Sequence, residues 1–247
     1  MDYAVVPIAV MPPPQPDEDL LKRVAAVIRK SLSHTRLLLA GEIPRIIAHA
    51  DSPPQAETIV ADLGRLGLAA IACSQAEMER VPPTSPAQTL EFGRPAVLFR
   101  DNAGGEQRLA AGDVCLIISG RLESSVEVKT SRSRFKFSWG RTLLMGGIPT
   151  WKRVEETTTE KSSQSQGFAR LYCRQADAPG VELWQHDLNY ACLGAERAAA
   201  SVVNFAALLR RLREAFPEAV FDDRLARSLP LTDWQELELS CRLIYLF

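Results

Sequence analysis

Within the 247-residue chain, the run His186-Asp187-Leu188-Asn189-Tyr190-Ala191-Cys192 comes nearest to a reacting centre. An imidazole, a carboxylate, an amide and a thiol are the parts of an activated cysteine nucleophile. That chemistry requires the imidazole within hydrogen-bond reach of the sulfur. In extended chain His186 and Cys192 share a face but stand about 20 Å apart, at roughly 3.3 Å per residue. Only a tight turn would bring them together. The expectation is therefore a strand entering the core, with Tyr190 packed and Cys192 buried.

A second chemical possibility is charge. Between Lys129 and Arg153 the chain holds Lys129, Arg132, Arg134, Lys136, Arg141, Lys152 and Arg153 and no acid. Such cations projecting together bind phosphate oxygens through charge-assisted hydrogen bonds. The alternation in SRFKFSW puts Arg132, Arg134 and Lys136 on one strand face and Phe135, Phe137 and Trp139 on the other. Lys129, Arg132, Arg134, Lys136 and Arg141 form the candidate ligand-binding set. A lipid headgroup, a phosphoprotein or a nucleic-acid backbone would satisfy it. Aromatics on the face opposite the arginines suit a core and not base stacking. The ordinary use of the same charge is a solvated strand face that discourages edge pairing.

The remaining candidates are weaker. His34 and His49 stand apart from each other and from thiols. The five cysteines (73, 115, 173, 192 and 241) are odd in number and scattered, so neither a disulfide framework nor a metal-ligand pair emerges. They read as reduced thiols, each a small buried hydrophobe. Gly146–Gly147 lacks the lysine and hydroxyl of a phosphate-binding loop. Trp151 and Trp184 read as core or half-buried strand residues. No catalytic residue, metal or cofactor is expected.

Composition agrees with a globular chain: 46% hydrophobic, 24% charged and a net charge of −1. That balance argues against a whole-protein polyanion binder and leaves room for a local patch. No basic region precedes the first apolar stretch, and no apolar run approaches the ~20 residues that cross a bilayer. The expectation is a cytoplasmic protein with a protein partner.

These residues must be positioned by an α+β scaffold. In DSPPQAETIVADLGRLG, Asp51 or Ser52 can cap a helix and Pro53 suits its first turn. Ala56, Ile59, Val60, Leu63 and Leu66 form its stripe, and Gly67 ends it. Gly64 weakens its interior. Upstream, DEDLLKRVAAVIRK carries acids first and bases last, as the helix dipole prefers. A short helix over about 33–40 precedes IPRIIAHA, read as a strand. YAVVPIAV is a strand that Pro7 pushes to an edge or a bulge. With LAAIAC the order is strand, helix, helix, strand, helix, strand.

This segment resembles the C-terminal domain of the bacterial ribosomal stalk protein. From Arg36 to Ile71 the patterns align without a gap: Pro44 before the second strand, Ala56–Glu57 in the third helix, Leu63 and Gly67 at its end. The family recruits translational GTPases through glycines and lysines on its first two helices. Lys30 and Leu32 stand here at those glycine positions, and His34 and Leu37 at those lysine positions. The resemblance therefore implies a protein-binding scaffold, a use the same fold has as an adaptor of the Clp protease.

The sequence predicts a domain over 1–75, a proline-rich linker over 76–95 and a β-rich domain over 96–247. In the last, AVLFR, DVCLIISGRLESSVEVK, SRFKFSW, FARLYCR and VELWQHDLNYACL read as strands, with DNAGG a hairpin loop. VEETTTEKSSQSQG reads as a polar segment without regular structure. A helix over 198–216 turns Val202, Phe205, Leu208, Leu209, Leu212 and Phe216 inward. A last helix is capped by Thr232, and the apolar LIYLF must be covered. Strands closed by a packed helix resemble a pleckstrin-homology-like domain. The architecture expected is thus a stalk-like unit plus a β-rich unit capped by a C-terminal helix, serving as a non-enzymatic adaptor.

Overall fold

The computed structural model describes residues 5–137, 151–175 and 177–247, with side chains described outside 124–164. The chain is mixed α+β. It divides into two compact units, Met1–Leu122 with Gln166–Phe247, and Glu123–Ser165.

The first unit opens with β1 (Val6–Val10), α1 (Glu18–Ile28), α2 (Leu32–Leu38), β2 (Arg45–Ala50), α3 (Pro53–Arg65) and β3 (Ala70–Ala72), in the order the sequence predicts. Asp17 Oδ1 accepts from the Leu20 amide at 2.6 Å and starts α1. That helix stops at Ile28, where Arg29 turns left-handed (φ 54°), so the bases expected in its last turn lie beyond it. Ser52 holds the N-cap position of α3 without a side-chain cap bond. Gln55 Oε1 instead accepts from the Asp51 amide at 2.9 Å. Gly67 (φ 82°) takes the left-handed conformation that follows α3.

The sheet order is β2-β1-β3, both pairings antiparallel. β1 is therefore central and not an edge. Pro7 is tolerated next to a register break between Ile8 and Ala9. One face of this sheet, with Val6, Ile8, Val10 and Ile47, packs on Leu21 and Val24 of α1 and Leu63 of α3.

Residues 76–95 carry regular structure: α4 (Gln75–Glu79) ends there, and β4 (Thr84–Ala87) and β5 (Thr89–Phe92) follow. The prolines that suggest a linker sit on and before β4, an edge strand, where a missing N–H costs no ladder bond. β5, β6 (Ala96–Arg100) and β7 (Glu106–Ala110) form an antiparallel sheet in chain order. β8 (Val114–Phe137) and β9 (Trp151–Cys173) are neighbours in a five-stranded sheet with β10 (Gly180–Trp184) and β11 (Val220–Asp222), ordered β11-β8-β9-β10-β4. The polar run from Val154 to Gly167, expected to be irregular, is strand throughout. Its successive threonines are β-branched and favour extended chain.

Past β10 the chain does not continue as the strand expected through Leu193. It turns at Trp184–Asp187 and enters a 3₁₀ helix, Tyr190–Glu196. Then come α5 (Ser201–Ala215), α6 (Arg224–Arg227) and α7 (Trp234–Leu246). Asn204, buried on α5, bonds both backbone groups of Ala198 through its side-chain amide. Turning Asn204 inward swings Val202 out to 66% exposure, against the expected stripe, while Phe205, Leu208 and Leu212 stay buried. α7 is capped by Asp233 and not Thr232.

Within the first unit both faces of the five-stranded sheet are covered. Ile117, Leu171, Val181 and Leu183 face β5–β7 and α5. Ile118, Phe168 and Tyr172 face Leu237, Cys241 and Ile244 of α7. The other side of α7, with Leu239 and Leu243, packs on Ala9, Ile46 and Ile71 of the three-stranded sheet and on Cys73 just past β3. One helix thus fills the space between two sheets; Leu243 and Ile244 of the apolar C-terminus are buried, whereas Phe247 is 37% exposed.

Candidate functional site

Alternation along β9 puts Phe168, Arg170 and Tyr172 on the face under α7, and along β10 it puts Glu182 and Trp184 there. The Arg170 side chain is only 2% exposed. Its Nη1 donates to Glu238 Oε2 at 2.6 Å. Its Nε lies 3.0 Å from Glu182 Oε2 yet makes no aligned hydrogen bond, so that attraction is Coulombic. Glu182 also accepts from Thr84 Oγ1 at 2.9 Å and from Trp184 Nε1. Glu238 accepts from Arg242 Nε at 2.7 Å, and Arg242 Nη1 reaches the Met78 carbonyl at 3.1 Å. Trp234 lies under the Arg170 guanidinium at 5.6 Å and stacks on Trp184.

Two cations and two anions balance here, which is what makes the burial of Arg170 and Glu182 tolerable. The cluster ties β4, β9 and β10 to α7. It holds no reactive thiol: burial pushes Cys241 up to about 12, although Arg170 pulls the other way. Burial likewise raises Tyr172. Among the described residues no cluster of His, Cys, Asp and Glu could hold a metal ion. The signal in the sequence is a lone charge inside an apolar run, Arg170 in FARLYC and Glu182 in VELW. A charge at that position of a strand covered on both faces has to find its opposite.

A cleft lies elsewhere in the first unit. It has a volume of about 810 Å³ and runs between the β6–β7 hairpin and the β4–β10 edge. Phe99, Leu109, Cys173 and Val181 make an apolar floor. Asp101, Glu106, Arg108, Asp113 and Arg174 stand around it. Asp101 Oδ1 accepts from the Ala103 and Gly105 amides, and Asp113 Oδ2 from the Ala110 amide, so these acids hold their own turns. Glu106 pairs with Arg100, whose hydrogen bond holds the carboxyl below its ordinary value. Arg174 Nε donates to the Gly112 carbonyl at 3.2 Å, and Gln107 Nε2 to the Pro179 carbonyl at 2.6 Å. The volume falls within the roughly 300–1,000 Å³ of ligand-binding clefts.

The candidates from sequence fall out differently. Lys129, Arg132, Arg134 and Lys136 lie on β8 with side chains outside the described residues, and Arg141 lies outside them altogether. His186 is exposed, and among the described residues it makes no hydrogen bond to Cys192. Cys192 is half-buried, not buried as expected, and burial raises its thiol. A nucleophile needs the opposite shift. Tyr190 is packed as expected, donating to the Gln185 carbonyl at 2.6 Å. His34 and His49 are exposed, and Trp184 is half-buried. Leu37 on α2 is 69% exposed. Among the described residues no single helix is long and apolar enough to cross a membrane. Comparison of the chain with protein families, with curated proteins and with solved structures returns no match.

Proposed function

We propose that this is a non-enzymatic, cytoplasmic interaction protein whose Glu123–Ser165 unit meets an anionic partner. One observation carries the reading. The last third-strand neighbours of β8 and β9 are at Ile118 and Phe168, apart from a single bridge at Leu122. Beyond these positions β8 runs on to Phe137 and β9 starts at Trp151, with no third strand beside them among the described residues. A two-stranded ribbon is marginal alone in water. A partner surface that covers it supplies the missing layer. The residues on it point to the partner's sign: Arg132, Arg134 and Lys136 occupy alternate positions of β8, within a stretch from Lys129 to Arg153 that holds no acid. Five free thiols fit a reducing compartment. The stalk-like order of β1 to β3 and the helix-closed β-rich part support a scaffold role in this reading.

The test compares the wild-type chain with a variant carrying Arg132→Glu, Arg134→Glu and Lys136→Glu. Three probes are used: vesicles containing an anionic phospholipid, a single-stranded oligonucleotide and a phosphopeptide, each at low and high salt. The expected result is binding of at least one probe that salt weakens and the variant loses. Binding of none, or binding that the charge reversal leaves unchanged, overturns the proposal.

A further inference from the structure

We propose that the cleft of the first unit is a peptide-docking groove, in which an extended segment of a partner protein adds to the free edge of β7. This rests on the first unit alone, apart from the charge reading of β8. β7 ends the order β5-β6-β7, so one side of its backbone has no partner strand among the described residues. Gly105, Glu106, Gln107, Arg108 and Leu109 all line the cleft. A cavity on one face of a strand meets every second residue, because successive side chains point to opposite faces. Five neighbours in succession mean that the cleft runs along the edge.

That edge is open. β7 contains no proline, and its register with β6 is unbroken from Ala96–Ala110 to Arg100–Glu106. Free strand edges are a template for another chain, and proteins usually blunt them. The opposite wall is blunted in that way: β4 carries Pro86 and follows Pro82 and Pro83. Strand addition supplies affinity from backbone bonds and selectivity from pockets for alternate side chains. Phe99, Leu109, Cys173 and Val181 offer an apolar floor for those alternate side chains. Around them stand Asp101, Glu106 and Asp113 with Arg108 and Arg174, and Glu106 is already paired with Arg100. The segment that fits alternates small apolar residues, facing the floor, with polar residues. With a wall on each side of the slot, a single chain fits it better than the sheet edge of a second copy.

The experiment uses the full chain and two synthetic peptides. One has the sequence Lys-Val-Thr-Val-Lys-Val-Thr with blocked ends; its twin has the same side chains and N-methyl groups on alternate backbone nitrogens. Binding is measured by calorimetry and located by hydrogen exchange. The expected result is saturable binding of the first peptide with slowed exchange over Glu106–Leu109. The twin should bind at least about tenfold more weakly, because it loses two or three backbone bonds. Equal binding of the twins would show side-chain docking of an apolar body and overturn strand addition. No binding, or protection confined to other segments, also overturns it. So does concentration-dependent dimerisation that protects Glu106–Leu109 without peptide, which would make a second copy the occupant.

Discussion

Arg170 shows how one residue's chemistry is set by the layers above and below it. Its guanidinium is buried with Glu182 and shares Glu238 with Arg242. Replacing it by methionine keeps the volume and leaves Glu182 a buried anion without its cation. Breaking a buried pair in this way costs about 3–5 kcal/mol, so Arg170→Met should lower the urea midpoint sharply. An unchanged midpoint would show that Glu182 finds water or a proton without penalty. Glu238 supplies a pH signature. Burial pushes its carboxyl up, but hydrogen bonds from Arg242 and Arg170 outweigh burial and hold it below the ordinary 4.5. A group depressed in the folded state contributes stability above its unfolded value and loses it as pH falls toward the folded one. Below pH 4.5 the wild-type urea midpoint should therefore fall more steeply than that of Glu238→Gln. Parallel slopes would remove Glu238 from the account.

At the scale of elements, α3 carries a removable weakness. Gly64 lies inside the helix, and a Cβ added there meets nothing within 4 Å. Gly64→Ala should stabilise the chain by roughly 0.5–1 kcal/mol, through helix propensity and a less disordered unfolded state. A lower melting temperature would mean that the site is crowded after all. Gly180 is the contrary case, because its Cβ would fall 2.5 Å from the Leu171 carbonyl oxygen. The helices from Asp17 to Gly67 are legible in sequence because caps, period and terminators agree locally. The strands from Ser74 onward are less legible. β4 reads as a linker because its prolines are explained only by an edge position that pairing decides. β9 reads as irregular because its threonine and glutamate positions look the same in a polar strand and in a loop. The Arg170 cluster is visible only as two misplaced charges until β9, β10 and α7 are brought together. The cleft is not visible at all, since it is lined by β4, β7 and β10, which are distant in sequence.

At the scale of the molecule, the segment over 1–75 leaves one face of its sheet to α7. That face carries Ala9, Ile46 and Ile71, with Cys73 just beyond β3. Expressed alone, residues 1–75 should expose that apolar face and aggregate. A peptide of residues 232–247 added in trans should restore solubility and raise the melting temperature, as measured by light scattering and calorimetry. A fragment that stays monomeric with an unchanged melting curve would show that α7 contributes little there. Gly64→Ala would not rescue the fragment, because helix propensity cannot cover a sheet.

The position of α7 in the chain also sets an order of events during translation. About 160 residues separate Cys73 from Trp234, and ribosomes add roughly 5–20 residues per second. The nascent first sheet must therefore wait on the order of ten to thirty seconds, one side bare, before its cover leaves the exit tunnel. Holding chaperones that recognise small apolar side chains would have their opportunity in that interval.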